Sequence, residues 1–150
     1  YGDTLNREPD GAGHAYWVGE LSGRRRTVAN VVGHFYASDE YFGSAGGTNR
    51  TWLGDLYQRL LERAPDAKGL DYWEGRAQTD RPGVAEGFFQ SPESRRERVE
   101  HLYWDLLGRG PDAAGLAYWA EQLLVGGDLV LAADLAASEE YFERAPQRVP

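Results

Sequence analysis

The feature that most constrains this chain is an internal repeat, because one motif occurs three times along its 150 residues. The centre of the motif is an arginine, a variable residue and a proline–aspartate pair, followed by a glycine and then by adjacent tyrosine and tryptophan. The three centres begin at Arg7, Arg63 and Arg109. A tyrosine stands six residues before each arginine, and a Ser-x-Glu sequence follows later in each copy. Repeated units of this size stack on one another to bury their apolar faces.

Each copy has the residue spacing of amphipathic helices. An apolar stripe with intervals of three and four consists of Leu53, Leu56, Tyr57, Leu60 and Leu61, and copy three repeats the pattern. The proline ends this helix, and the aspartate after it is suited to cap the next one. The stretch from Pro92 to Leu107 contains no helix breaker, so one helix is predicted to join copies two and three.

The predicted architecture is an all-α single domain over residues 1–150, made of three stacked helical repeat units that share one core. The copies span about 1–43, 52–94 and 97–145, and a glycine-rich loop occupies 43–50. No stretch alternates apolar and polar residues for long enough to indicate a strand.

The composition excludes several classes of function. The net charge of −8 argues against a nucleic-acid partner, since binding to phosphates depends on a basic surface. The lack of cysteine leaves no disulfide, no thiol nucleophile and no cysteine-ligated zinc. No apolar run is long enough to predict membrane insertion. Since methionine is also absent, we expect the chain to be part of a larger protein with other domains attached.

The motif Tyr-x5-Arg-x-Pro-Asp-x2-Gly-x2-Tyr-Trp, followed by Ser-x-Glu, resembles the bacterial domain-of-unknown-function family numbered 4214. It is also distantly similar to the linker domains of phycobilisomes, the cyanobacterial light-harvesting assemblies. The resemblance covers nearly the whole chain in three copies. It implies a helical, non-catalytic accessory module outside the cell, often found beside hydrolases or calcium-binding repeats, with no established active site to transfer.

The repeated residues have two interpretations. In the structural one, the aspartate caps a helix, the tryptophan fills the core and the arginine pairs with the glutamate of Ser-x-Glu. In the functional one, an aromatic ring stacks on a sugar while aspartate and arginine bind its hydroxyl groups. The candidate ligand-binding residues are Arg7, Asp10, Tyr16, Trp17, Arg63, Asp66, Tyr72, Trp73, Arg109, Asp112, Tyr118, Trp119 and Trp104.

Helical phase separates the two adjacent aromatics of each copy. Trp73 shares a face with Leu70 and is expected to be buried, whereas Tyr72 lies about 100° around the helix and is expected to be reachable. Trp104 lies off the apolar stripe of its helix, so its ring is expected either to be exposed and contact a ligand or to pack against the neighbouring unit. Trp52 and Tyr36 are weaker candidates for exposure of the same kind.

Catalytic and metal-binding motifs are absent from the sequence. The three histidines have no shared spacing, and no nucleophile elbow, metalloprotease helix or phosphate loop occurs, so no enzymatic activity is predicted. No cofactor is predicted. Calcium stays open as an alternative because the chain has 24 acidic residues, although no EF-hand loop is present.

The predicted function is a non-catalytic glycan-binding accessory module, extracellular or at the cell surface, whose partner is a polysaccharide or cell-surface glycan. Three copies would allow multivalent binding. The alternative is a structural or protein–protein linker module without a small ligand.

Overall fold

A computed structural model describes residues 1–144, with the backbone alone at residue 3. The described residues form helices and no strand, which confirms the predicted all-α fold. The helices in chain order are α1 (Gly2–Leu5), α2 (Gly11–Ser22), α3 (Val28–Ala37), α4 (Asp39–Ser44), α5 (Asn49–Leu61), α6 (Ala67–Ala77), α7 (Arg81–Phe89), α8 (Pro92–Leu107), α9 (Ala113–Gln122), α10 (Asp128–Ala136) and α11 (Glu139–Arg144).

The helices follow the repeat. Copy one contributes α1–α4, copy two contributes α5–α7 and the start of α8, and copy three contributes the rest of α8 with α9–α11. The continuous helix α8 confirms the predicted junction between copies two and three. The predicted loop at 43–50 is shorter in the structure, because Thr48 caps α5 and α4 extends to Ser44. The predicted end of copy three, residue 145, lies outside the described residues.

The first helix of every copy ends in the same way. Asn6, Glu62 and Gly108 each adopt the left-handed conformation, with φ of 50°, 50° and 64°, immediately before the repeated arginine. A left-handed residue at this position turns the chain out of the helix and satisfies its last carbonyl groups. This turn places the arginine and the following aspartate at the start of the next helix.

The chain divides into two compact units, which we call unit 1 (Tyr1–Gln90) and unit 2 (Ser91–Pro150). The core of unit 1 combines residues of copies one and two: Tyr36, Tyr41, Trp52, Leu53, Leu56, Tyr57, Leu61, Ala77, Val84, Ala85 and Phe88. The core of unit 2 comes from copy three: Val99, Tyr103, Leu107, Leu123, Leu131 and Leu135.

The sequence predicted one core shared by three copies, whereas the described residues form two core clusters. The physical reason lies in the third helix of each copy. Helix α3 packs along α7, which closes copies one and two over a common core. Helix α10 packs on α8 of its own unit, so copy three closes over a core of its own.

The expected exposure of Trp52 and Tyr36 is wrong. The Trp52 side chain is fully buried and Tyr36 is 9 % exposed. The indole Nε1–H of Trp52 donates to the carbonyl oxygen of Tyr36 at 2.7 Å. Helix α5 carries Trp52 one turn before Leu56, on the face that covers the unit 1 core, so the ring is buried and its one polar group is paired.

Candidate functional site

The repeated aspartates cap helices, as the sequence predicted. The carboxylates of Asp10, Asp66 and Asp112 each accept the backbone N–H of the glycine three residues later, at 2.8, 2.8 and 2.7 Å. Donation from the glycine N–H is also the main cause that lowers the pKa of Asp10 and Asp66 below the ordinary range. The carboxylates of Asp10 and Asp66 therefore stay charged at neutral pH, and all three aspartates satisfy one of the free N–H groups of their helices.

The repeated arginines of copies one and three bind a glutamate within their own copy. Arg7 donates through Nε and Nη2 to the two carboxylate oxygens of Glu40 at 2.7 and 3.0 Å. Arg109 binds Glu140 through the same two nitrogens, at 2.6 Å each. These hydrogen bonds lower the pKa of both glutamates. The structural interpretation of Arg7 and Arg109 is confirmed, and their planar donor pairs are already occupied by carboxylates.

The same guanidinium groups lie over a tyrosine ring of the first helix in each copy. The distances from the guanidinium carbon to the ring centroid are 5.1 Å for Arg7 on Tyr1, 4.9 Å for Arg63 on Tyr57 and 5.5 Å for Arg109 on Tyr103. This geometry is a cation–π contact. It explains why a tyrosine stands six residues before each arginine, so these two residues of the motif serve packing.

The adjacent aromatics adopt one arrangement in all three copies. The rings of each Tyr–Trp pair meet edge to face, with centroids 5.1, 5.0 and 5.1 Å apart for the pairs that begin at Tyr16, Tyr72 and Tyr118. These tyrosines are 53, 55 and 57 % exposed, as the helical phase predicted, and the tryptophans are half-buried. Each copy thus presents an aromatic surface held by a half-buried indole ring.

In copy two, the motif tryptophan also lines a cleft of unit 1. A cleft of about 270 Å³ lies against Trp73. It is lined by Trp73, Arg76, Thr79, Asp80, Gly83 and Val84.

Gly83 of α7 lines this cleft, and Gly87, one turn later, lies beside the same indole ring. The position that precedes the core phenylalanine of the third helix is His34 in copy one and Gly87 in copy two. In copy one the imidazole ring lies 4.8 Å from the ring of Trp17. A Cβ built on Gly87 would meet only the Cη2 atom of Trp73, at 3.8 Å. Copy two therefore leaves uncovered the part of its indole ring that copy one covers with histidine.

Polar groups at the cleft suit a ligand with hydroxyl groups. The guanidinium carbon of Arg76 lies 4.9 Å from the centroid of Tyr72 and 5.9 Å from that of Trp73. Unlike Arg7 and Arg109, it makes no ion pair among the described residues. Asp80 accepts the N–H of Gly83 at 2.8 Å and caps α7, which uses one of the several acceptor positions of its carboxylate. The cleft therefore offers an aromatic face, a guanidinium without a carboxylate partner among the described residues, and a carboxylate.

The sequence reasoning missed Arg76, Thr79 and Asp80, since they belong to copy two alone and fall outside the repeated motif. The sequence feature that could have pointed to this cleft is a pair of glycines four residues apart in α7, Gly83 and Gly87. Of the other candidates, Trp104 is 58 % exposed on α8, which is the first of the two expectations for its ring. Its Nε1 atom would lie 3.8 Å from a Cβ built on Gly110, so the ring sits above the turn at Arg109.

No described helix is long and apolar enough to cross a membrane.

Comparison with known proteins identifies the repeat. No curated protein and no solved structure matches the chain. The family described as "Domain of unknown function (DUF4214)" matches residues 1–45, 33–98 and 94–144, one segment for each copy of the motif. Because these segments cover almost all of the sequence, the chain belongs to the DUF4214 family as a tandem array of three repeats.

Proposed function

We propose that this chain is a non-catalytic, extracellular bacterial module that binds glycans, and that its principal site is the cleft at Trp73. The observation that carries the proposal is a cleft in which the indole ring of Trp73 lies beside the guanidinium of Arg76 and the carboxylate of Asp80. A sugar ring has an apolar face that packs on an aromatic ring and hydroxyl groups that pair with planar donors and carboxylates.

The size of the cleft supports a small ligand group. Its volume of about 270 Å³ lies just below the roughly 300–1,000 Å³ typical of sites for drug-sized ligands. One sugar unit of a longer chain fits that description better than a whole oligosaccharide. A single shallow site of this kind binds weakly, so the exposed tyrosines of the other copies would add contacts along a polymer.

The repeated arginines are not part of the proposed site in copies one and three. Arg7 and Arg109 are held by glutamates, and the repeated aspartates are held by the helix starts that they cap. The repeated arginines and aspartates therefore have a structural role, and the aromatic surfaces and the cleft of copy two are left to recognise the ligand. It also supports the expectation that the chain has no catalytic activity.

Binding of the purified chain to an array of bacterial, plant and host glycans is the primary test, run with calcium and with a chelator. We expect competable binding in both buffers, because the proposed site needs no metal. A signal that disappears with the chelator would favour the calcium alternative. Absence of binding to every glycan by the folded chain would contradict the proposed function.

The Gly87→His variant tests the site itself. It places on α7 the residue that covers Trp17 in copy one, so we expect it to block the indole ring of Trp73 while the fold is kept. Gly75→His is the matched control, since a Cβ at that exposed position of α6 meets no atom within 4 Å. Full binding by Gly87→His would show that the part of the Trp73 ring next to Gly87 does not contact the glycan.

The second candidate function is a structural or protein–protein module, the role of the phycobilisome linkers that the motif resembles. The observation that favours it is the internal use of the repeated arginine, aspartate and tyrosine. If no glycan binds, attachment to another protein becomes the leading hypothesis, and the exposed apolar residues of unit 2 are the first surface to test.

A further inference from the structure

The third helices of copies one and two pair with each other inside unit 1. Among the described helices, α3 and α7 pack together most extensively. The Asn30 amide Nδ2 donates to Glu86 Oε2 at 3.2 Å. A Cβ built on Gly33 would stand 2.5 Å from Glu86 Cγ and 3.0 Å from the carbonyl oxygen of Pro82. The two helices therefore approach closely at Gly33, where only hydrogen is tolerated.

The repeat fixes which residues of α10 correspond to this interface. Each third helix begins after a cap residue, and a serine follows that cap at the same spacing in every copy: Thr27 and Ser38, Asp80 and Ser91, Gly127 and Ser138. Ala133 thus corresponds to Gly33 and Glu86. In the same register Leu129 corresponds to Pro82, and Val130 to Asn30.

The corresponding face of α10 is apolar and exposed. Leu129 is 76 % exposed and Val130 is 47 % exposed, and Ala133 and Ala137 are exposed beside them. The polar pair of the α3–α7 interface has been replaced at these positions by Val130 and Ala133. Contiguous exposed apolar side chains on one helix face typically mark a site of association.

We propose that α10 pairs with α10 of a second copy of this chain, through the face that α3 and α7 use for each other. In unit 1 the third helices of two copies pair with each other, whereas the described part of unit 2 contains the third helix of copy three alone. The α3–α7 interface also brings together corresponding positions, Gly33 of one repeat and Glu86 of the next. Contact between equivalent positions is what a two-fold symmetric dimer requires.

The composition of α10 suits self-pairing. Two Ala133 residues facing each other allow close approach of the helices, as Gly33 does in α3. Flanking Leu129 and Val130 side chains contribute apolar area and bring no unpaired hydrogen-bonding group into the interface, in contrast to a pairing of two Glu86-like residues. The dimer is independent of the proposed glycan cleft, which lies in unit 1.

Sedimentation equilibrium of the 150-residue chain measures this association. We expect a concentration-dependent rise from 16.7 kDa toward twice that mass, with loading concentrations that reach roughly 1 mM, the range of weak complexes. Leu129→Glu should raise the dissociation constant by about tenfold or more, because it buries a charge against its own copy. The matched control is Phe142→Glu, which adds the same charge at a side chain that is 66 % exposed on α11.

A cysteine cross-link tests the register. The chain contains no cysteine, so Ala133→Cys introduces a single thiol that should form a disulfide-linked dimer on mild oxidation. Ala117→Cys, at an exposed position of α9, is the control and should cross-link much more slowly. A chain that stays monomeric at the highest concentration would overturn the proposal and indicate a different partner for α10. A dimer unaffected by Leu129→Glu, or one cross-linked equally at both positions, would also overturn it.

Discussion

Replacement of Gly69 by alanine should destabilise unit 1, although alanine is the better helix former. Gly69 lies in the first turn of α6, where a Cβ would stand 2.5 Å from the hydroxyl oxygen of Tyr57 and 3.1 Å from Asp66 Oδ2. Both distances are shorter than the roughly 3.5–4.0 Å of favourable non-bonded contact. The added methyl group therefore needs space that its neighbours occupy.

Tyr57 has no room to move away from that methyl group. Its side chain is 3 % exposed, and its ring meets the Phe88 ring edge to face with centroids 4.9 Å apart. Overpacking of a buried site costs about 1–3 kcal/mol. The gain in helix propensity from glycine to alanine is at most about 1 kcal/mol. The expected net effect is a loss of about 1 kcal/mol in the free energy of unfolding.

Urea unfolding, followed by far-UV circular dichroism and by tryptophan fluorescence, measures this change. Gly75→Ala in the same helix is the matched control, because a Cβ there meets no atom within 4 Å, and it should stabilise by up to about 1 kcal/mol. Combining Gly69→Ala with Tyr57→Phe removes the obstructing hydroxyl oxygen. The double variant should be more stable than the sum of the two single changes predicts, by about 1 kcal/mol.

The reasoning would be refuted if Gly69→Ala stabilised the protein as much as Gly75→Ala does. That result would mean that Tyr57 yields without cost and that the repeated glycine has another role. Additive losses in the double variant would likewise exclude the hydroxyl group of Tyr57 as the cause.

Three further predictions concern the caps, the buried tryptophan and the cleft. The pKa of Asp66 is lowered in the folded state by the Gly69 N–H, so its contribution is present above the ordinary value of 3.8 and is lost as pH falls through the lower folded pKa. Melting temperatures measured across pH 2–7, roughly the range of carboxyl titration, should therefore fall as the pH is lowered. The variant Asp66→Asn should show a smaller fall, because asparagine caps a helix without a charge. Trp52→Ala should lower the free energy of unfolding in urea by about 3–5 kcal/mol, since the ring is fully buried and its N–H donates to Tyr36. Trp104→Ala should change it by less than about 0.5 kcal/mol, because that ring is exposed. Equal losses in the two variants would contradict the assigned burial. Arg76→Ala should weaken glycan binding in calorimetric titration while the melting temperature stays near that of the unsubstituted chain, because Arg76 is exposed; a matching loss of stability would indicate a structural role.

The local structure follows from short stretches of sequence. The proline of each Arg-x-Pro-Asp turn ends a helix, and the aspartate beside it caps the next one within four residues, so Asp10, Asp66 and Asp112 lie where the sequence predicts. The exposure of Tyr72 beside the half-buried Trp73 follows from helical phase alone. Such features depend on contacts inside one turn of helix, and the same residues produce them in each of the three copies of the motif.

Partners distant in the sequence were predicted where the motif itself contained both members. The pairing of Arg109 with Glu140 was expected because arginine and glutamate recur in every copy, and opposite charges that recur together are suited to meet. A repeated pair therefore carries information about tertiary contacts that a single occurrence would not.

Only the tertiary structure decided which helix faces meet. The reason is that packing between helices depends on how their side chains fit together, whereas the spacing of apolar residues describes one helix at a time. The sequence offers Trp52 as a weak candidate for exposure, whereas the ring is buried because α5 covers the core of unit 1. The division into two cores depends on the close approach of α3 and α7 at Gly33. At Trp73, Gly87 stands where copy one has His34, and only the packed structure shows that the missing side chain leaves part of an aromatic ring uncovered beside the cleft. The repeat thus determined the helices and their caps, and packing between helices determined the cores and the candidate site.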